Sequence, residues 1–188
     1  MVMLLVFYVG LRYCGKVVRK EISPRIATWL IFEVGVFMSL ATYLAGQDHT
    51  VAKAALNAAD CLQVTVILIT LGFAQRGQKM RLAKSEWASL AISCVAAVVW
   101  IVTRTGWLAF GGFQVVMCIA YVPTLERLWR WKPGPSPEPI EKWSINILIA
   151  VIGLVVDLTG RHDYVAMVYP LRAFILCVVV VLLIARWK

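Results

Sequence analysis

The stretch WASLAISCVAAVVWIVT, residues 87–103, runs for seventeen residues without a charge between Glu86 and Arg104. A helix of this length rises about 25 Å, which is about enough to cross a thin bilayer core. A helix also satisfies its own backbone hydrogen bonds, as lipid requires. The stretch lies near the middle of the chain, and a block of three hydrophobic segments flanks it on each side. It therefore predicts a linker helix between two halves of a membrane protein.

The composition places the whole chain among membrane proteins. Of its 188 residues, 61% are hydrophobic and 15% are charged, and the mean hydropathy is +0.80, values typical of membrane proteins. The formal charge of +9 also occurs in nucleic-acid-binding proteins, but here the basic residues lie mostly between apolar spans and no nucleic-acid motif accompanies them. We therefore expect no nucleic-acid partner. The five cysteines lie in apolar spans without metal-ligand spacing, so we expect neither a disulfide framework nor a zinc or other metal site. We also expect no cofactor.

The hydrophobic segments predict an all-α integral membrane protein with seven transmembrane helices. The predicted spans, in chain order, are 1–18, 24–46, 51–74, 87–103, 107–125, 143–160 and 164–185. They divide the chain into a first three-helix repeat (1–75), a linker helix (86–103) and a second three-helix repeat (107–188). The loop RLWRWKPGPSPEPIEK, residues 127–142, is the longest, and we expect it to be ordered only in part.

Basic residues alternate between the loops and so predict an orientation. With seven spans, fourteen Lys and Arg residues fall on one face of the membrane and three on the other. The fourteen are Lys16, Arg19, Lys20, Arg25, Arg76, Lys79, Arg81, Lys84, Arg127, Arg130, Lys132, Lys142, Arg186 and Lys188, and the three are Lys53, Arg104 and Arg161. Cytoplasmic loops carry the excess of Lys and Arg, which predicts an outside amino terminus and a cytoplasmic carboxyl terminus.

The two blocks of three spans share a layout. Each enters from the outside, has a basic inside loop after its first span and a tight outside turn after its second. A proline and a tryptophan open each middle helix, Pro24 with Trp29 and Pro139 with Trp143. Proline suits the first turn of a helix and tryptophan the membrane interface. Equal orientation of the blocks predicts a parallel repeat, for which an odd linker helix is needed.

This layout resembles the SWEET and PQ-loop superfamily, whose three-one-three architecture the PnuC-type vitamin transporters share. The stretch KEISPRIATW, residues 20–29, and the later Val122-Pro123-Thr124-Leu125 are similar to small bacterial membrane proteins. The resemblance covers most of the chain in topology, but the shared motifs are short. Thr124 stands where the PQ-loop pattern has glutamine, and the first repeat has Cys14-Gly15 in the corresponding region, so sugar specificity is not implied. A multi-pass protein of the bacterial inner membrane is implied.

Two charged residues at membrane depth are the primary site candidates. Charges there are costly and usually face a cavity or a partner. Asp60 and Arg172 lie at matching depths in the third and seventh spans, so we expect them to face each other across the repeat interface. They either form an ion pair or flank a polar substrate, and a purely structural pair holding the halves together is the alternative. Asn57 and Tyr169 each lie three residues earlier, on the same helical face.

The resemblance adds further candidates, because the middle and third helices of each repeat line the central cavity in that family. Trp29, Glu33, Trp143 and Asn146 are the residues concerned. Glu33 either couples proton movement to transport or makes a hydrogen bond to a neighbouring helix.

Pro123 and Pro170 fall inside predicted helices. A proline removes one backbone hydrogen bond, so each is either a hinge or a static kink.

These features predict a small-solute transporter or facilitator with its substrate site at the pseudo-symmetric repeat interface. The expected partners are the lipid bilayer and a small polar solute, and a homo-oligomer is left open. No HExxH, GxSxG or P-loop pattern occurs, so we expect no enzyme. The alternative is a non-transporting receptor or assembly subunit on the same fold. In a carrier the polar groups should line a cavity, whereas in an assembly subunit they should seal one another.

Overall fold

The computed structural model describes residues 2–22, 24–45, 54–76, 84–103, 106–132, 134, 136–161 and 164–186. Within these residues the chain forms seven α-helices and no strand. The helices are α1 (Val2–Val18), α2 (Ile26–Leu44), α3 (Ala55–Ala74), α4 (Lys84–Thr103), α5 (Gly106–Arg130), α6 (Ile140–Val156) and α7 (Tyr164–Ala185). A π-helical turn, Asp157–Arg161, continues α6. The predicted outside turns near residues 46–53 and 162–163, and most of the basic loop at 77–83, lie outside the described residues.

The prediction of an all-α chain with seven helices is confirmed within the described residues. One boundary differs clearly, since α5 runs to Arg130 and not to residue 125. Pro123 lies inside this helix without ending it. The extra turn is held in place because Leu128 is fully buried, and Arg186 at the end of α7 donates a hydrogen bond of 3.1 Å to its carbonyl oxygen.

In the described part of the chain, four helical stretches are long and apolar enough to cross a membrane. They are Ala55–Ala74, Glu86–Thr103, Ile140–Thr159 and Met167–Ala185. The apolar part of α2, Thr28–Leu44, is shorter. Large apolar side chains also cover the outside of the protein, among them Leu4, Phe73 and Val102, each at least 74% exposed. Extensive exposed apolar surface marks contact with lipid or with another protein.

Six helices form a closed ring. Around it α1 contacts α3, α3 contacts α2, α2 contacts α5, α5 contacts α7, α7 contacts α6, and α6 returns to α1. The linker helix α4 lies against α5 and α2. Close approach of α2 and α5 depends on Gly35, because a Cβ atom there would collide with Met117.

The helices alternate in direction. In α3, Gln75 donates to the Pro24 carbonyl at one end of α2, and Asn57 donates to Ser39 towards the other end. The two helices are therefore antiparallel. We define the basic end as the end of the bundle where α1, α3, α5 and α7 finish, because most of the described Lys and Arg residues lie there.

Two groups of aromatic side chains pack at different levels of the ring. Near the basic end, consecutive rings lie 4.8–5.8 Å apart between their centres. This aromatic layer comprises Tyr13, Trp29, Phe32, Tyr121 and Trp143. Towards the opposite end a smaller cluster packs Tyr43, Phe110 and Tyr169 with Ala54. The centre of the ring lies between these two groups.

Candidate functional site

A cavity of about 50 Å³ lies in the centre of the ring. By the usual requirement of about 10–15 Å³ per water, it has room for a few water molecules or a small solute group. Its walls are mainly apolar and aromatic, and they include three charged side chains, Asp60, Lys142 and Arg172. Apolar walls with a few convergent polar groups are typical of ligand sites. The lining comes from α2, α3, α5, α6 and α7.

Asp60 and Arg172 both line this cavity, but no ion pair joins them among the described residues. Tyr169 lies between them. Its hydroxyl donates a hydrogen bond of 2.8 Å to Asp60 Oδ2, and the Arg172 guanidinium carbon lies 4.8 Å from the centre of its ring. The sequence predicts either an ion pair between the two residues or a polar substrate between them, and the described residues show no ion pair. Both charged groups lie in the wall of this cavity, and Tyr169 contacts each of them.

A network of buried hydrogen bonds connects Arg172 to side chains of three other helices. Arg172 Nε donates to Gln114 Oε1 at 2.9 Å, and Gln114 Nε2 donates to Ser39 Oγ at 2.8 Å. Asn57 Nδ2 donates to the same Ser39 oxygen at 3.1 Å. These buried bonds tie α7, α5, α2 and α3 together in one plane of the bundle. They hold the guanidinium in place, because its Nε donates to Gln114.

Two buried donors at the cavity are unsatisfied. Arg172 Nη1 and the Trp143 indole Nε1 have no hydrogen-bond partner, and their residues are 7% and 2% exposed. Leaving a buried donor without a partner costs roughly 1–3 kcal/mol, more for a charged group. Unsatisfied buried donors of this kind are rare in native structures and call for an explanation.

Lys142 is the third charged group of the cavity. The residue is 5% exposed, and its ammonium lies 4.3 Å from the Trp143 ring centre, 4.8 Å from that of Trp29 and 5.5 Å from that of Tyr13. No carboxylate lies within ion-pair distance of it in the described part of the chain. Aromatic faces attract a cation through their quadrupoles. They hold the ammonium near the cavity without neutralising its charge.

The other predicted site residues divide into two groups. Trp29, Trp143 and Asn146 line the cavity together with Asp60, Tyr169 and Arg172. Asn57 and Glu33 do not. Asn57 belongs to the network around Ser39, and Glu33 faces α3, where it accepts a hydrogen bond of 2.7 Å from Thr65.

The two helix prolines lie in different surroundings. Pro170 is buried one residue after Tyr169, and a Cβ atom placed on Gly153 of α6 would lie 3.3 Å from its Cβ. Pro123 borders a wider depression at the basic end that Arg25 and Arg127 also line. Pro170 is thus packed tightly against a neighbouring helix, whereas Pro123 is buried at the edge of this depression.

Ionic contacts close the basic end below the aromatic layer. The buried Glu138 accepts hydrogen bonds from Arg127 and, at 3.3 Å, from the Tyr13 hydroxyl. Lys16 pairs with Glu141 at 3.2 Å. These contacts join α1, α5 and the start of α6 on the side of the cavity that leads to the basic end.

Sequence reasoning missed Lys142 and left Gln114 without a role. Lys142 falls at the start of a predicted span, next to Trp143, among the basic residues that the charge pattern assigns to the loops. The adjoining tryptophan is a weak signal of burial that could have found it. Among the residues that the structure describes, no group of three His, Cys, Asp or Glu side chains could hold a metal ion.

No protein family, curated protein or solved structure gives a match to this chain.

Proposed function

We propose that this protein is a small-solute membrane transporter or facilitator whose substrate occupies the central cavity. The observation that carries the proposal is the pair of unsatisfied buried donors, Arg172 Nη1 and Trp143 Nε1, at a cavity that also contains Asp60. Both donors belong to residues that line the cavity, whereas Glu33 and Asn57, whose Oε2 and Oδ1 atoms are also buried without a partner, do not line it. The environment in this proposal is the bilayer, the ligand is a small polar solute, and the protein performs no chemical step on it.

The order of helix contacts supports two three-helix repeats joined by α4. In the first half the contact order is α1, α3, α2, and in the second it is α5, α7, α6. The contacts between the halves are likewise equivalent, α2 with α5 and α6 with α1. A rotation that exchanges the halves reproduces the ring, as a parallel repeat requires. The site residues Asp60 and Arg172 occupy α3 and α7, which are counterparts under this exchange.

The orientation in this proposal places the basic end in the cytoplasm of a bacterium and the amino terminus outside, on the basis of the Lys and Arg distribution. All seven helices cross the membrane. Because α1 and α7 finish at the same end of the bundle, the start of α1 and the end of α7 lie at opposite ends, which supports an odd number of crossings.

Transport in this proposal proceeds by opening the cavity to each side in turn. The Glu138 and Glu141 contacts close the basic end, and the cluster around Tyr43, Phe110 and Tyr169 closes the other. Pro123 and Pro170 are the points at which α5 and α7 bend, since each lacks one backbone hydrogen bond.

A flux assay in proteoliposomes tests the proposal. Purified protein is reconstituted and screened for uptake of small sugars, amino acids, organic acids and vitamins, alongside the variant Ala173→Trp, which fills the cavity. Ala88→Trp, which puts the same side chain on the exposed face of α4, is the matched control. We expect uptake of at least one solute class by wild type and by Ala88→Trp, and its loss in Ala173→Trp. A folded wild-type protein that moves none of them would favour the non-transporting receptor or assembly subunit.

A further inference from the structure

We propose that the solute bound in the central cavity is a small organic anion with a single carboxylate, held by Arg172, Lys142 and the Trp143 indole. This inference rests on the proposed function and adds the substrate class to it. The cavity carries two cations and one carboxylate in its walls. Its formal charge is therefore positive by one when it is empty, and one negative charge on the solute balances it.

The two unsatisfied donors need acceptors of the kind that a carboxylate provides. Arg172 commits Nε to Gln114 and leaves Nη1 without a partner. Guanidinium donors favour carboxylates, and a charge-assisted bond is about twice as strong as a neutral one. The Trp143 indole can only donate, so it too requires an acceptor. A carboxylate has two acceptor oxygens and no donor, and it meets both needs.

Lys142 supplies the second charge. Its three aromatic neighbours hold the ammonium in place, and in the described part of the chain no carboxylate neutralises it within ion-pair distance. A buried cation without a counter-ion is costly. An anionic solute in the cavity removes that cost for as long as it is bound.

The charge balance of the cavity argues against a zwitterion as the preferred solute. Asp60 Oδ2 accepts the Tyr169 hydroxyl, and the other carboxylate oxygen remains an acceptor for an ammonium group. A zwitterion brings no net charge, however, and the positive balance of the cavity would persist. The aromatic and apolar walls, with Phe32 and Met117 among them, suit the hydrocarbon part of a short organic acid.

Three solutes of equal carbon number separate the alternatives: pyruvate is an anion, L-alanine a zwitterion and glycerol uncharged. Binding to the detergent-purified full chain is measured as the rise in melting temperature with solute concentration, since a ligand of the native state stabilises it by mass action. We expect pyruvate to bind and the other two to bind at least about tenfold more weakly. Sodium chloride at matched ionic strength controls for a general anion effect.

Variants of the same chain identify the groups. Trp143→Phe keeps a ring but removes the donor, and Lys142→Met keeps the length but removes the charge. We expect each to weaken pyruvate binding about tenfold, the magnitude of one charge-assisted hydrogen bond. Arg19→Gln, which removes an exposed charge at the basic end, should bind pyruvate as wild type does. If Trp143→Phe is unfolded, Lys142→Met still tests whether the cavity cations hold the anion.

Each other outcome overturns the inference in a recognisable way. Alanine binding that Asp60→Asn abolishes means a zwitterion site, and glycerol binding means an uncharged substrate. Both leave the proposed transport function standing. Equal stabilisation by chloride means that any anion suffices and that the carboxylate is not recognised. If none of the solutes binds and the flux screen is also negative, the proposed function fails together with the inference.

Discussion

Removal of the Tyr169 hydroxyl tests whether the hydrogen bond between α7 and α3 beside the cavity stabilises the protein. This hydroxyl joins α7 to α3 by donating 2.8 Å to Asp60 Oδ2, and Tyr169 is 3% exposed. Tyr169→Phe keeps the ring in place and leaves one carboxylate oxygen without its donor. The effect is therefore that of the hydrogen bond and not of a packing defect.

The size of the effect follows from the charge of the acceptor. Hydrogen bonds to charged groups contribute about 1.5–3 kcal/mol in soluble proteins, whereas bonds between transmembrane helices average about 0.6 kcal/mol with a maximum near 1.7. Because the acceptor here is a buried carboxylate, we expect a coupling free energy near the upper membrane value, about 1.5 kcal/mol.

A double-mutant cycle measures this coupling. The four proteins are wild type, Tyr169→Phe, Asp60→Leu, which has no acceptor, and the double variant, and the free energy of unfolding is measured for each in detergent micelles. Tyr8→Phe is the control, since its hydroxyl contacts Arg12 on the exposed face of α1, and it should change stability little. A coupling below about 0.3 kcal/mol, the scatter for independent sites, would refute a connection between α3 and α7 through these groups.

Three further predictions concern packing, the polar network and orientation. Gly153→Ala places a Cβ 2.9 Å from Leu56 Cδ2 and should destabilise the protein by about 1–3 kcal/mol. Gly72→Ala adds its Cβ in open space and should not destabilise it. Thermal unfolding of the two variants and of wild type measures the difference. Ser39→Ala leaves two buried amides without their shared acceptor and should cost about 1–3 kcal/mol in unfolding free energy, against no loss for the exposed Ser144→Ala. A fluorescent reporter fused to the carboxyl end should be bright in bacterial cells and an alkaline phosphatase inactive, and the reverse pattern would contradict the cytoplasmic assignment.

Helix positions could be predicted from the sequence because each is set by a local property. The length of an apolar stretch and the charges at its two ends locate a transmembrane span without knowledge of the neighbouring helices. The depth of Asp60 and Arg172 follows from the same count of residues, and both do line the cavity. The end of α5 could not be predicted, because the burial of Leu128 and its contact with Arg186 at the end of α7 depend on residues far along the chain.

The remaining site features depend on how each helix is rotated and on long-range packing. Glu33 and Trp29 are four residues apart on α2, yet Trp29 faces the cavity and Glu33 faces Thr65 on α3. Lys142 is held by Tyr13 from α1 as well as by tryptophans of α2 and α6. A single sequence gives the composition of such a cluster but not which helices meet to form it.

Accessibility of the cavity from both sides of the membrane tests the central claim most directly. Ala173, which lines the cavity, is changed to cysteine in a chain whose five native cysteines are replaced by alanine. A membrane-impermeant thiol reagent is then applied to right-side-out and to inside-out vesicles, and Ala88→Cys on the exposed face of α4 reports labelling that does not depend on the cavity. A carrier with its site between the two halves predicts labelling of residue 173 from each side, and protection from both by a transported solute. Labelling from one side alone, or from neither in folded protein, would contradict alternating access to this cavity.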